Sequence, residues 1–364
     1  MSRIRVMVVD DSAMLRRLIT DALSGADDIE VVGVAPNGQI AVSQIDELRP
    51  DVITLDVEMP VMDGLQTVRE IRKRHTRLPV IMFSTLTEEG GWATLDALSH
   101  GASDYLTKPS GTGSLAASIA VVRGELVPKI RALCHRAPAA TIRPTPIREA
   151  MSARPKRTQT TKIEAVVIGV STGGPRALAE VIPALPADLA VPVLVVQHMP
   201  AMFTRLLAER LDASSKVTVV EGSDGMAIQA GTVYVAPGGS HMDIAGRLAR
   251  HTIRIFEDPP ENSCRPSVDP LFRSAAAVYR KHVLAVMLTG MGSDGLGGSK
   301  AIAAAEGQVI AQDEATSVVW GMPGEVTRAG LAEAVLPLDR IAGEISRRVA
   351  FGRTAATDRV QGGI

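Results

Sequence analysis

The chain has 364 residues, 46% hydrophobic and 22% charged, with a formal net charge of −1; that length suits two or three domains whose cores need no disulfide or metal staple. Its two cysteines, Cys134 and Cys264, exclude a disulfide scaffold and a Cys-rich zinc site and fit a reducing compartment. No apolar run reaches the ~18 residues of a membrane span, and Met1 to Val9 reads as a strand rather than a signal peptide, so a cytoplasmic protein without membrane insertion is expected.

Residues 1–135 carry a net charge of −4. Short apolar runs at Ile4–Val9, Val31–Ala35, Val52–Leu55, Val80–Phe83 and Tyr105–Thr107 predict buried strands. Helical periodicity fills the gaps at Ala13–Leu23, Gln39–Leu48, Leu65–Arg74 and Trp92–Ser99, and a fifth helix fits Gly113–Leu133. Five strands alternating with five helices predict a parallel sheet covered on both faces, with its ligand site beyond the carboxyl ends of the strands. Asp10 and Asp11 follow the first strand, Asp56 the third, Ser84 the fourth and Lys108 the fifth. Carboxylates gathered at one edge repel unless a cation joins them, and hard oxygen donors suit Mg²⁺. A carboxylate, a lysine, a hydroxyl and Mg²⁺ together suit phosphoryl transfer.

Residues 136–162 hold four prolines, almost no large apolar residue and a net charge of +6. This segment reads as an extended, solvated linker. No aromatic residue interleaves its charges, so no nucleic-acid partner is expected.

Residues 163–350 read as a second α/β domain, followed by a disordered tail at 351–364. Ala165–Gly169 is a strand by composition, and Ser171-Thr172-Gly173-Gly174-Pro175 leads into a helical run at Arg176–Ile182. The turn fits a nucleophile elbow, Gly169-x-Ser171-x-Gly173, and equally a phosphate cradle. A serine nucleophile needs a base, and the base needs a carboxylate to orient it. His198 follows the strand Val193–Val196 at the same sheet edge, and His241 follows Thr232–Ala236 as its rival. Asp294 follows Val283–Leu288 in the Gly-rich Thr289–Gly295 loop, as the orienting carboxylate, as N-cap of a helix at Leu296–Ala305, or as both at once.

Two resemblances emerge from these motifs. Asp10-Asp11, Asp56, Met59-Pro60-x-Met62-Asp63-Gly64, Ser84 and Lys108-Pro109 make residues 1–135 resemble the receiver domain of two-component response regulators, a flavodoxin-like (βα)5 fold. This implies phosphorylation of Asp56 by a histidine kinase, and Mg²⁺ held by Asp11, Asp56, Asp10 through water and the backbone carbonyl of Glu58. It also implies that Lys108 pairs with the phosphate, Ser84 moves towards it, Tyr105 is the switch aromatic, and the peptide before Pro109 is cis. Residues 163–340 resemble the catalytic domain of the CheB family of chemotaxis protein-glutamate methylesterases, a doubly wound, mainly parallel sheet. The blocks are Ile168–Gly174, Gln197–Pro200, Val235–Gly238, Leu288–Gly295, Gln312–Ser317 and Trp320–Gly324. By position, Ser171 is then the nucleophile, His198 the base and Asp294 its orienter. The Met291 N–H helps hold the oxyanion, Thr172 borders the site, and no cofactor serves the catalytic domain. The implied substrates are methylated glutamates of chemoreceptors, with glutamine deamidation alongside. The expected regulation is a receiver that covers the Ser171 cleft until Asp56 is phosphorylated.

Overall fold

The computed structural model describes residues 3–109, 114–134, 161–247 and 250–361. The chain divides into two compact units, Met1–His135 and Arg136–Ile364. The linker read at 136–162 lies outside the described residues except for its last two.

The first unit runs β1 (Ile4–Val9), α1 (Ala13–Ser24), β2 (Ile29–Ala35), α2 (Gly38–Leu48), β3 (Val52–Asp56), α3 (Gly64–Arg74), β4 (Val80–Ser84), α4 (Glu88–Ser99), β5 (Asp104–Thr107) and α5 (Leu115–Cys134). Its sheet is parallel throughout, in the order β2-β1-β3-β4-β5. β3 and β4 are buried along their whole length, as central strands covered by helices on both faces must be. Ser12, Asn37, Asp63 and Thr87 cap α1 to α4 through their side chains, so each helix starts just past a strand end.

The second unit continues with β6 (Ala165–Val170), α6 (Gly174–Val181), β7 (Val193–Gln197), α7 (Ala201–Ser214), β8 (Thr218–Glu221) and β9 (Thr232–Val235). An antiparallel hairpin follows, β10 (His241–Arg247) and β11 (Arg250–Phe256). Then come α8 (Val268–Tyr279), β12 (Val283–Met287), α9 (Leu296–Ala304), β13 (Gln308–Gln312), α10 (Met322–Arg328), β14 (Ala334–Leu336) and α11 (Leu338–Gln361). Seven parallel strands lie in the order β14-β13-β12-β6-β7-β9-β8. The chain leaves β6 in one direction through β7 and returns to its other side at β12. The topological switch point therefore lies between β6 and β12, where doubly wound sheets place their ligand crevice.

Two differences from the sequence reading concern the edges. His241 opens β10, a strand the sequence reading did not include. The expected tail at 351–364 meets a helix that continues to Gln361. Leu338, Ile341, Ala342, Ile345 and Val349 anchor α11 on one apolar stripe, and the Ala- and Arg-rich residues beyond propagate a helix already nucleated. Among the described residues, no helix is long and apolar enough to cross a membrane.

Candidate active site

In the first unit the carboxyl ends of β1, β3 and β5 bring Asp10, Asp56 and Lys108 together. Asp56 is buried, and the Lys108 ammonium lies 2.7 Å from its Oδ1 and 3.5 Å from Asp10 Oδ2. The second oxygens of Asp10 and Asp56 are buried without a hydrogen-bond partner. Burial drives the Asp56 carboxyl up to about 6, against the hydrogen bond from Lys108 and helped by the charge of Asp10. Burial raises Asp10 as well. Ligand atoms of Asp10, Asp11 and Asp56 lie within 4.8 Å of one another. Desolvated carboxylate oxygens this close together, that of Asp56 without a hydrogen-bond partner, form a donor set suited to a hard divalent cation.

The neighbouring residues are placed as follows. Glu58 is exposed two residues beyond β3. The Ser84 hydroxyl donates to the carbonyls of Thr85 and Gly90, both at 3.1 Å. Tyr105 is buried, with the Lys129 ammonium 5.9 Å from its ring centre. The cis peptide among the described residues is Arg265–Pro266; Lys108–Pro109 is not cis, contrary to what the resemblance implies.

In the second unit Ser171 and His198 extend β6 and β7 by one residue past the register pair Val170↔Gln197. Adjacent parallel strands lie about 4.8 Å apart, so the two residues start as neighbours. Gly173 carries a positive φ of 78° at the N-terminus of α6, and a Cβ there would sit 2.6 Å from Val318. The turn is thus available to glycine alone. Gln197 Nε2 donates to the carbonyls of Ser171 (3.1 Å) and His198 (3.2 Å), tying the two turns together. Among the described residues Ser171 Oγ has no hydrogen-bond partner.

His198 Nε2 lies 2.8 Å from Asp294 Oδ2. Asp294 is 2% exposed yet well supplied with donors. Its Oδ2 also accepts the Val268 N–H at 2.7 Å. Its Oδ1 accepts from Ser267 Oγ (2.7 Å), Asn262 Nδ2 (2.9 Å), Gly295 N (2.9 Å) and Asp269 N (3.3 Å). The carboxylate therefore sits on the N-terminus of α8, where backbone N–H groups and the helix dipole favour an anion. Burial alone would raise its pKa; the histidine and the helix N–H groups reverse this and hold it below the usual range. Gly295, rather than Asp294, stands at the N-cap of α9. Burial works against a charged His198, but the bonds to Asp294 and Cys264 raise it to about 9.

His241, the rival base, has both ring nitrogens engaged by the backbone. Nε2 faces the Pro259 carbonyl at 3.2 Å and Nδ1 accepts the Ser267 N–H at 3.2 Å. Thr172 is buried and its carbonyl accepts the Thr289 hydroxyl at 2.9 Å. The Met291 N–H has no acceptor among the described residues, and Met291 is half-buried at the edge of the loop. Sequence reasoning missed Asn262, Cys264 and Ser267. All three lie in the irregular stretch 257–267, where Asn262 and Ser263 take positive φ values of 53° and 62°. Ser267-x-Asp269-Pro270 before an apolar run is the helix-start signal that would have found Ser267.

The comparisons with known proteins agree on both units. A response regulator receiver domain model matches residues 6–120, and a CheB methylesterase model matches residues 166–345. A protein-glutamate methylesterase/protein-glutamine glutaminase of Trichodesmium erythraeum is 49% identical over 351 residues, covering 96% of this chain and 100% of that protein. One from a Nocardioides species is 50% identical over 364 residues, with 97% of each chain covered. The crystal structure of the Thermotoga maritima CheB methylesterase catalytic domain is 42% identical, with a TM-score of 0.50 over 51% of this chain and 99% of that one. With nearly full-length identity near one half, the chain belongs to the protein-glutamate methylesterase/protein-glutamine glutaminase family, a receiver domain followed by a CheB methylesterase domain.

Proposed function

We propose that the chain is a phosphorylation-activated serine esterase. It hydrolyses glutamate γ-methyl esters on chemoreceptors to glutamate and methanol, and deamidates receptor glutamines, in chemotactic adaptation. The observation that carries this reading is the His198–Asp294 pair at 2.8 Å, one strand away from Ser171 at the sheet's switch point.

In this reading Ser171 is the nucleophile. Nε2 of His198 is committed to Asp294, so Nδ1 takes the Ser171 proton once the hydroxyl turns towards it. Oγ attacks the ester carbonyl, and the developing oxyanion is met by the Met291 N–H beside Thr172. A donor of this kind is worth about 3–4 kcal/mol of barrier. His198 returns its proton to the departing methoxide, and methanol leaves. Water then repeats the sequence on the acyl-enzyme to give glutamate. With a glutamine substrate the leaving group is ammonia. Asp294 stabilises the imidazolium formed in each half.

Asp56 is the phosphoryl acceptor, supplied by a chemotaxis histidine kinase. Mg²⁺ would be held by Asp11, Asp56, Asp10 through water and the Glu58 carbonyl, where it would supply charge neutralisation for a phosphoryl group. Lys108 pairs with the phosphate, and Ser84 exchanges its bonds to Thr85 and Gly90 for the new oxygens, with Tyr105 as the second switch residue. The added charge biases a two-state rearrangement of the receiver and uncovers the esterase cleft.

The test is methanol release from methylated chemoreceptor membranes by the wild type, Ser171→Ala and Asp56→Asn, with and without a small phosphodonor and Mg²⁺. The expected result needs Ser171 throughout and rises with phosphodonor only when Asp56 is present. Release that persists in Ser171→Ala would refute the nucleophile assignment.

A further inference from the structure

The ring nitrogen of His198 that faces away from Asp294 is not idle. Nδ1 lies 3.5 Å from Cys264 Sγ, a normal separation for a hydrogen bond involving sulfur. Asp294, His198 and Cys264 thus form a continuous chain: carboxylate, imidazole, thiol. A nucleophile within reach of a base, with the base oriented by a third group, is the arrangement that activates a thiol. Whether the proton rests on sulfur or on nitrogen, the same geometry serves.

We infer that Cys264 is a modification site for small electrophiles, peroxides among them, and that its modification shuts down the Ser171 esterase.

Access supports this. Cys264 is half-buried, and Asn262, Ser263 and Arg265 on either side of it are exposed. The consequence for the esterase follows from position. His198 Nδ1 is the nitrogen the Ser171 proton needs, and any group added to Sγ lies against it. The other cysteine is a built-in reference. Cys134 Sγ donates to the Asp51 carbonyl at 3.7 Å, and burial beside the Asp51 charge pushes its thiol up to about 12.

The chemistry balances with the reagent alone. With an alkyl iodide, His198 holds the thiol proton, the S–C bond forms, and the C–I bond breaks as iodide leaves with its electron pair. With hydrogen peroxide, sulfur attacks one oxygen, the S–O bond forms and the O–O bond breaks. Sulfur is oxidised to the sulfenic acid, and the departing hydroxide takes the His198 proton to become water.

The loss-of-activity arm rests on the esterase reading above; the labelling arm does not. The experiment treats the full-length chain with iodoacetamide at neutral pH and follows each cysteine by peptide mass spectrometry against time. Cys264 is expected to be labelled about tenfold or more faster than Cys134, and His198→Gln is expected to abolish that preference. Methanol release should fall in proportion to Cys264 occupancy. Cys264→Ser, whatever its starting rate, should lose no activity to iodoacetamide or peroxide. Equal labelling of the two cysteines, labelling of Cys264 unchanged by His198→Gln, or full labelling of Cys264 with activity intact would overturn the inference. If untreated enzyme releases no methanol at all, the esterase reading fails, and the labelling ratio still decides the thiol.

Discussion

The His198–Asp294 pair makes a measurable claim about pH. With the His198 pKa raised to about 9, only about 1% of the imidazole is the free base at pH 7. The esterase kcat/KM should therefore climb about tenfold per pH unit and level off near 9. Asp294→Asn removes one of the two groups that raise the histidine, the other being Cys264, while keeping the side-chain size. Burial is then opposed by Cys264 alone, and the midpoint should fall from about 9 towards ~6.5. The plateau should also fall, by about 10,000-fold, because an amide lets the imidazole settle in the wrong tautomer. The two effects separate in one experiment: methanol release from phosphodonor-treated enzyme between about pH 6 and 10, with Ser171→Ala subtracted for alkaline hydrolysis. Stability offers a second reading of the same pair. The folded pKa of His198 lies above its unfolded value, so the stabilisation is complete below ~6.5 and lost as pH rises through about 9. It is on the order of 3 kcal/mol. A wild-type midpoint at ordinary histidine values, or one that Asp294→Asn leaves in place, would refute the reasoning.

Three further outcomes are expected. Asp56 is raised to about 6 from 3.8 in the fold, so its favourable contribution exists at acid pH and is lost as pH climbs through that range. At pH 7.5 Asp56→Asn should stabilise the first unit by up to about 3 kcal/mol in denaturant titration, and added Mg²⁺ should stabilise the wild type far more than this variant; destabilisation would show that the Lys108 pair outweighs burial. Gly290→Ala would put a Cβ 2.9 Å from Ser171 Cβ and 2.4 Å from the sulfur of fully buried Met322. A loss of about 1–3 kcal/mol and a lower kcat should follow, and unchanged values would mean the loop gives way freely. A chain beginning at Lys162 should release methanol faster than the full chain without phosphodonor, whereas equal rates would sink the idea that the receiver covers the cleft.

Much of the site was legible because parallel sheets put their chemistry where an apolar run stops. Asp10, Asp56, Lys108, Ser171 and His198 each lie within one residue of a strand end, and a short apolar run, rich in valine and isoleucine for all but Lys108, marks such an end without any structure. Asp294 is farther from β12, but a glycine-rich loop advertised it. The hairpin β10–β11 and the stretch 257–267 gave no such signal. The hairpin alternates over only about four residues in each strand and 257–267 follows no period, and what they contribute depends on a loop folding back over the sheet edge. Cys264 was therefore visible only as one of two cysteines. Nor does composition say which nitrogen of His198 faces Asp294; that follows from where α8 begins.

The start of α8 also explains why Asp294, and not its neighbour, is suited to hold an imidazolium. Asp269 is also buried, and it lies in the first turn of α8 itself. Among the described residues it accepts only the Gly298 N–H at 2.6 Å and Asn262 Nδ2 at 2.9 Å, and burial raises its pKa. Asp294 meets six donors, including two N–H groups of the helix itself and His198, and its pKa is lowered. Burial pushes the two carboxyls the same way, so the donors, His198 first among them, and the neighbouring charges decide the difference: His198 lowers Asp294, whereas Asp294 and Glu261 raise Asp269. Capping α8 and orienting His198 are thus not competing roles for Asp294. His198 and the helix N–H groups together keep the carboxylate charged in a place where water does not, and a carboxylate kept charged is what the histidine needs behind it when Ser171 gives up its proton.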